Sequence, residues 1–328
     1  MPDIPKGPIS SDQMLKWINS IKRQELVGPA PTKSKKSPET PSGSLVLPEI
    51  KLEGDTRAQI ERARQIMGAD NFFGPEEIQE KYPYVRLPDT IPPILFDQDR
   101  MEREKNAGMV LRLVCDTAVD GGPLTGAKLN TLLSPIYTAR NEKFLFDTAW
   151  HKDEPFFTTE TPRLSWVFMA TEILPDSTNK NYVDQTNLIA DHIKTLWQDS
   201  EARMPQQDRD DLKEWEAYYN TNFAGKTPEE ITALLNGDTT RKKYALELSS
   251  LGMNQHNRAT AVEQIDHIAF MRAATEKKIL ETTYGWTSTC SSDGSLVDVG
   301  CADAWGAGMD GWKPDDVRDD LGVLLFRR

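Results

Sequence analysis

The sequence predicts a mixed α+β protein, and three observations carry that expectation. An apolar, β-branched run at residues 109–118, MVLRLVCDTA, reads as a central strand. Much of the stretch from 186 to 283 carries helical spacing. The chain then ends in residues 286–328, dense in glycine and small polar residues and closing on the strand-like run Leu321 to Phe326. Glycine costs backbone entropy on folding, so this density implies tight turns and unusual backbone angles. Such a chain end would fray unless its apolar finish pinned it into a core.

Composition narrows the function classes. The 328 residues suffice for one large domain or two ordinary ones. A net charge of -12 opposes a nucleic-acid footprint, which needs concentrated basic surface. The hydrophobic share of 38% is low for a globule throughout, so part of the chain is expected to be disordered. No apolar run is long enough for a membrane span, and the first residues lack an export-signal pattern. Cys115, Cys290 and Cys301 are an odd set without CxxC spacing. Three reduced thiols are the simplest reading, although a Cys290–Cys301 bridge is sterically conceivable.

The elements follow in order. Residues 1–50 read as a flexible tail: an amphipathic helix over 11–24 with Ser11 as cap, then a Pro/Ser/Lys-rich linker over 28–44. Residues 51–100 form a helical and extended lead-in. It holds a helix over 55–68 between Asp55 and Gly68, a second helix opened by Pro75, and extended chain over 87–97. From residue 101 the main domain begins. Strands are expected over 109–118, 142–150 and 164–174, with a short helix at 128–133 between the first two. Helices over 186–198, 208–220 and 227–236 follow, the last opened by Thr227-Pro228-Glu229-Glu230, a cap with proline and paired acids. The longest helix is expected from 258 to 283, ended by Gly285. No internal repeat is evident.

Ordinary chemistries find few carriers. His151 lacks a second histidine at ligand spacing and reads as an exposed polar turn, while His267 reads as a surface or half-buried helix residue. Gly121-Gly122-Pro123 lacks the lysine and serine of a phosphate-binding loop, and no GxSxG elbow occurs. Asp298, Asp303, Asp310, Asp315, Asp316, Asp319 and Asp320 could ligate calcium, a hard cation, but their spacing is not that of an EF-hand. No cofactor is expected beyond that calcium possibility. The residues alone leave open a glycine-rich β-meander with no ligand.

One resemblance shifts that balance. Ser292-Asp293-Gly294, Leu296-Val297, Val299-Gly300, Gly306-Ala307, Trp312 with Pro314, and Asp320-Leu321-Gly322-Val323 closely resemble the variable region of proteins diversified by retroelements. Weaker similarity covers Trp150 to Glu154, Leu164 to Trp166 and Pro175 to Tyr182, so that the resemblance extends over roughly residues 101–328. In that family an error-prone reverse transcriptase rewrites template adenines, and the product is displayed on a C-type lectin fold of the formylglycine-generating-enzyme type. The resemblance implies an α+β, C-type lectin-like fold over 101–328, with a helical block over 186–283 and a variable region over 286–328. It implies a non-enzymatic protein that binds a macromolecule, protein or surface glycan, and not nucleic acid. Its location would be cytoplasmic or virion-associated. A viral tail or adhesin component, and an enzyme of the formylglycine-generating type, are the alternatives.

The same resemblance implies the ligand-binding positions: Ser295, Asp298, Cys301, Ala302, Asp303, Gly308, Asp310, Gly311, Asp315, Asp316, Val317 and Arg318. All belong to the set that an adenine-randomised AAC codon can encode, whereas Trp305 and Lys313 do not. These positions are expected to point to solvent, where substitution usually costs less than about 0.5 kcal/mol. Leu296, Val297, Val299, Val323, Leu325 and Phe326 would form the constant scaffold, because core changes cost roughly 2 to 5 kcal/mol each.

Overall fold

The computed structural model describes residues 54–237 and 240–328, all within the unit Leu52–Arg328. The helix expected over 11–24 and the linker over 28–44 lie outside the described residues. The mixed α+β class is observed, built on two small sheets.

The lead-in folds as read, with α1 at Gly54–Met67, the short β1 at Phe72–Phe73 and α2 at Pro75–Lys81. Gly68 (φ +80°) follows α1, a left-handed position that suits glycine. Next come α3 (Gln98–Asn106), β2 (Val110–Val114), α4 (Gly126–Ala139), the single turn α5 (Pro155–Thr158) and β3 (Ser165–Met169). The helical block holds α6 (Tyr182–Leu196), α7 (Gln206–Asn222), α8 (Pro228–Asn236), α9 (Arg241–Ser250), α10 (Gly252–Asn257) and α11 (Ala261–Thr275). Thr227 caps α8 as expected, exchanging hydrogen bonds with Glu230 in both directions.

The C-terminal region, whose glycine density implied tight turns, is mostly regular strand: β4 (Tyr284–Cys290), β5 (Leu296–Asp303) and β6 (Gly306–Trp312), then β7 (Leu321–Gly322) and β8 (Phe326–Arg327). One sheet has the order β1-β2-β3-β8 and the other β6-β5-β4-β7. The expected strand over 321–326 is instead a seam. Leu321–Gly322 pairs with β4, Val323 and Leu325 accept hydrogen bonds from Leu174 and Ala170, and Phe326–Arg327 pairs with β3. The last eight residues therefore tie the two sheets together.

Two further expectations fail for local reasons. Residues 142–150 are not a strand, because the Asp147 side chain accepts from Ala149 N and turns the chain; Leu145 keeps a lone bridge to Ala307. The long helix over 258–283 is confined to α11. Thr260 and Glu263 form a capping box that starts it, and Glu276 in the left-handed region (φ +59°) ends it.

Helix α11 contacts α2, β4 and β5, and every residue from Ala261 to Met271 is buried. Its polar residues are buried with partners, as satisfied interiors require. Asp266 accepts from Arg112 Nη2 (2.7 Å) and Tyr82 Oη (3.0 Å). Gln264 Nε2 donates to Gly285 O (3.1 Å) and Val299 O (2.6 Å), and Glu263 pairs with Arg328. His267, expected near the surface, is buried and donates from Nε2 to Ala170 O (2.9 Å). That bond fixes the neutral tautomer, and burial holds its pKa down to about 3.

Candidate ligand-binding face

The β4–β5 turn is tightly bonded. Asp293 Oδ1 accepts from Ser291 Oγ (2.5 Å) and Ser295 N (3.0 Å), and the Glu154 carboxylate accepts from Ser292 N and Oγ. Gly294 sits at φ +87°. Ser295 is therefore buried in the turn rather than directed to solvent.

Along β5 the register sets a row across three strands: Trp286 opposite Asp298, and Asp298 opposite Asp310. Directly opposed residues share a face of a sheet. Asp298, expected at the surface, is 1% exposed. Its Oδ1 accepts from Asp310 N (3.1 Å), while Oδ2 and the neighbouring Trp286 Nε1 have no hydrogen-bond partner among the described residues. Burial first, and the Asp310 charge second, hold the Asp298 carboxyl well above the usual range. Asp310 is half-buried and also raised, chiefly by burial; no hydrogen bond or ion pair to its carboxylate occurs among the described residues. Arg318 is close enough to lower both, yet its Nε and Nη2 bond Asp320 (2.8 Å each) and its guanidinium lies 4.6 Å from the Trp312 ring centroid.

A bulge between Gly300 and Asp303, with Cys301 at φ +47°, turns Ala302 inward. Ala302 is buried against a cavity of about 20 Å³ that Tyr137, Phe144, Ile268 and Ala307 also line. Trp305, at the following hairpin tip, is 66% exposed. Which of the two faces the core is thereby decided: Ala302 does. Gly308 is also buried, because the Tyr284 side chain lies across it; a Cβ there would stand 2.6 Å from Tyr284 Oη. Ser295, Asp298, Ala302 and Gly308 are thus not the solvent-facing positions they were expected to be. In β5 and the first half of β6 neighbours cover both faces, so alternation along a strand does not produce an outside.

The remaining expected positions are open or partly open. Cys301, Asp303 and Asp310 are half-buried and Gly311 is exposed. In the 313–320 loop Asp315, Asp316 and Arg318 are partly open and Val317 is exposed. Pro314 O and Arg318 O hold that loop by accepting from Tyr182 N and Asn179 N. Sequence reasoning missed two aromatic neighbours. Phe146 (59% exposed) donates its backbone N–H to Ala307 O, and Trp150 (41% exposed) donates Nε1 to Met309 O at 2.8 Å. Both flank the outer edge of β6, and only their aromatic character in a polar stretch could have signalled them.

Other chemistries are weakly equipped. Among the described residues no three His, Cys, Asp or Glu side chains are grouped to hold a metal ion, so the calcium reading has no ligand set. The cysteines are free, and burial raises Cys115 to about 12 and Cys290 to about 11, far from a thiolate at neutral pH. His151 is fully buried beside Trp150, Phe156 and Phe157 rather than in an exposed turn, and neither ring nitrogen has a hydrogen-bond partner among the described residues. Burial lowers its pKa to about 4. No described helix is long and apolar enough to cross a membrane. No protein-family model, no curated protein and no solved structure matches the chain.

Proposed function

We propose that this chain is a ligand-binding protein whose C-terminal region is diversified by a retroelement and displayed on a C-type lectin-like scaffold. The observation that carries this reading is the division of residues 295–318 into two sets. Leu296, Val297, Val299 and the glycines at 300, 306 and 308 are buried, whereas Asp303, Trp305, Gly311, Val317 and their neighbours in the 313–320 loop are open on a bonded frame. A frame that does not depend on its displayed side chains can tolerate their replacement, the arrangement antibody loops also use. The binding set is then Cys301, Asp303, Asp310, Gly311, Asp315, Asp316, Val317 and Arg318, with Trp305, Phe146 and Trp150 adding exposed aromatic area. Ser295, Asp298, Ala302 and Gly308 belong to the frame. The ligand is a macromolecule, protein or surface glycan, and the raised thiols favour binding over catalysis.

The genomic sequence downstream tests the proposal. A near-repeat of the codons for 290–328, differing only at adenines and lying beside a reverse transcriptase gene, is expected. Its absence, together with unchanged ligand selection from a library randomised at Asp303, Asp316 and Val317, would refute the reading.

A further inference from the structure

We infer that the variable face takes a cationic side chain, arginine or lysine, from a protein partner at Asp310, and that Asp298 beneath it releases a proton as the cation seats. The inference rests on the ligand-binding reading above and names its partner chemistry.

Two carboxylates directly opposite on neighbouring strands repel, an arrangement that costs stability unless one of them is neutral or a cation lies between them. Elsewhere in the described interior the buried acids have side-chain partners: Asp266 has Arg112, Glu263 has Arg328, Glu104 and Asp208 share Arg327, and Asp211 has Gln207 and His256. Asp298 has none, and its buried Oδ2 has no partner. The charged and titratable groups around it are Asp310 on β6, Tyr284 on β4, and Arg318 and Asp320 on the following loop. The only cation of that set is bonded twice to Asp320, so among the described residues neither carboxylate of the opposed pair has an ion-pair partner, although Arg318 acts on both from a distance.

The walls suit a cation. Residues two apart on a strand share a face, so Gly308, Asp310 and Trp312 lie in one line, with the Tyr284 ring covering Gly308. Asp310 therefore lies in the row between the Tyr284 ring over Gly308 and Trp312. Arg318, already stacked on Trp312, shows the group this wall accepts. Burial and the Asp310 charge together keep Asp298 neutral; a second cation arriving at Asp310 cancels that repulsion and opposes the burial penalty with its own positive charge. Asp298 then ionises, and its proton passes to solvent.

Binding of hexa-arginine, hexalysine and hexaglutamate peptides to the full chain tests the inference by calorimetry, in two buffers of different ionisation enthalpy. The basic peptides should bind and release protons, with affinity rising with pH. Asp310→Asn should weaken binding about tenfold, while Glu201→Gln, an exposed acid outside the sheet, changes nothing. Asp298→Asn should keep binding but abolish proton release. Equal binding by Asp310→Asn would overturn the inference and assign the affinity to overall acidity, as would proton release driven by calcium alone. Folding of each variant is checked by its melting curve, and if Asp310→Asn fails to fold, Asp298→Asn decides alone. If the peptides fail while Val317 variants still change the selected ligand, only the cation assignment falls.

Discussion

Asp266 and Asp298 are the same residue at nearly the same depth, and their surroundings separate a paired buried acid from an unpaired one. Asp266, on α11, accepts from Arg112 and Tyr82, and Arg112 also lies 3.8 Å from the Phe270 ring centroid. Asp298, on β5, faces another carboxylate and receives one backbone N–H. Burial raises both, but at Asp266 an adjacent guanidinium opposes the rise. Near α11 the buried acids are paired with guanidinium groups; the face formed by β5 and β6 leaves one buried acid without an ion pair among the described residues. Local violations of otherwise consistent rules are expected at functional sites.

The contrast can be broken at three places, in decreasing size. Asp266→Ala leaves Arg112 as an unpaired buried cation and should cost about 3 to 5 kcal/mol in urea unfolding. A loss below about 1 kcal/mol would show that the two acids are equivalent after all. His151→Phe removes a buried histidine whose ring nitrogens have no hydrogen-bond partner among the described residues. Its folded pKa of about 4 lies below the ordinary 6.5, so the unfolded chain binds more protons between those values. Stability from this group is complete above 6.5 and lost as pH falls toward 4. The wild type should therefore lose on the order of 1–2 kcal/mol relative to the variant across that window, a figure discounted for solvent screening. Parallel pH–stability curves would count against it. Val317→Ser, on the exposed loop, should shift stability by less than about 0.5 kcal/mol while altering ligand choice.

Much of the fold was legible in residue patterns. The capping box at Thr227, the stop at Gly68 and the strand over 110–114 are written in local chemistry, because each depends on neighbours within a few residues. The candidate site was legible only in part. The glycine-rich end announces tight turns and an unusual backbone, but its strands are hidden because short, glycine-interrupted strands lack the apolar alternation that marks a half-buried sheet. Phe146 and Trp150 reach the face through backbone and indole bonds to residues more than a hundred positions away, which no local pattern encodes.

The sequence by itself determined the capped helix starts at Pro75 and Thr227, where glycine must relieve the backbone, and that the last residues belong to a core. Those outcomes follow from torsional preference and capping, which act within a few residues. Only the tertiary structure decided that Ala302 is inside and Trp305 outside, that Asp298 lies buried against Asp310, and that residues 321–328 tie two sheets together. Burial is a property of what packs on both faces of a strand. For β5 those covers are α11, the Tyr284 ring across Gly308 and the loop after β6, each supplied by another part of the chain.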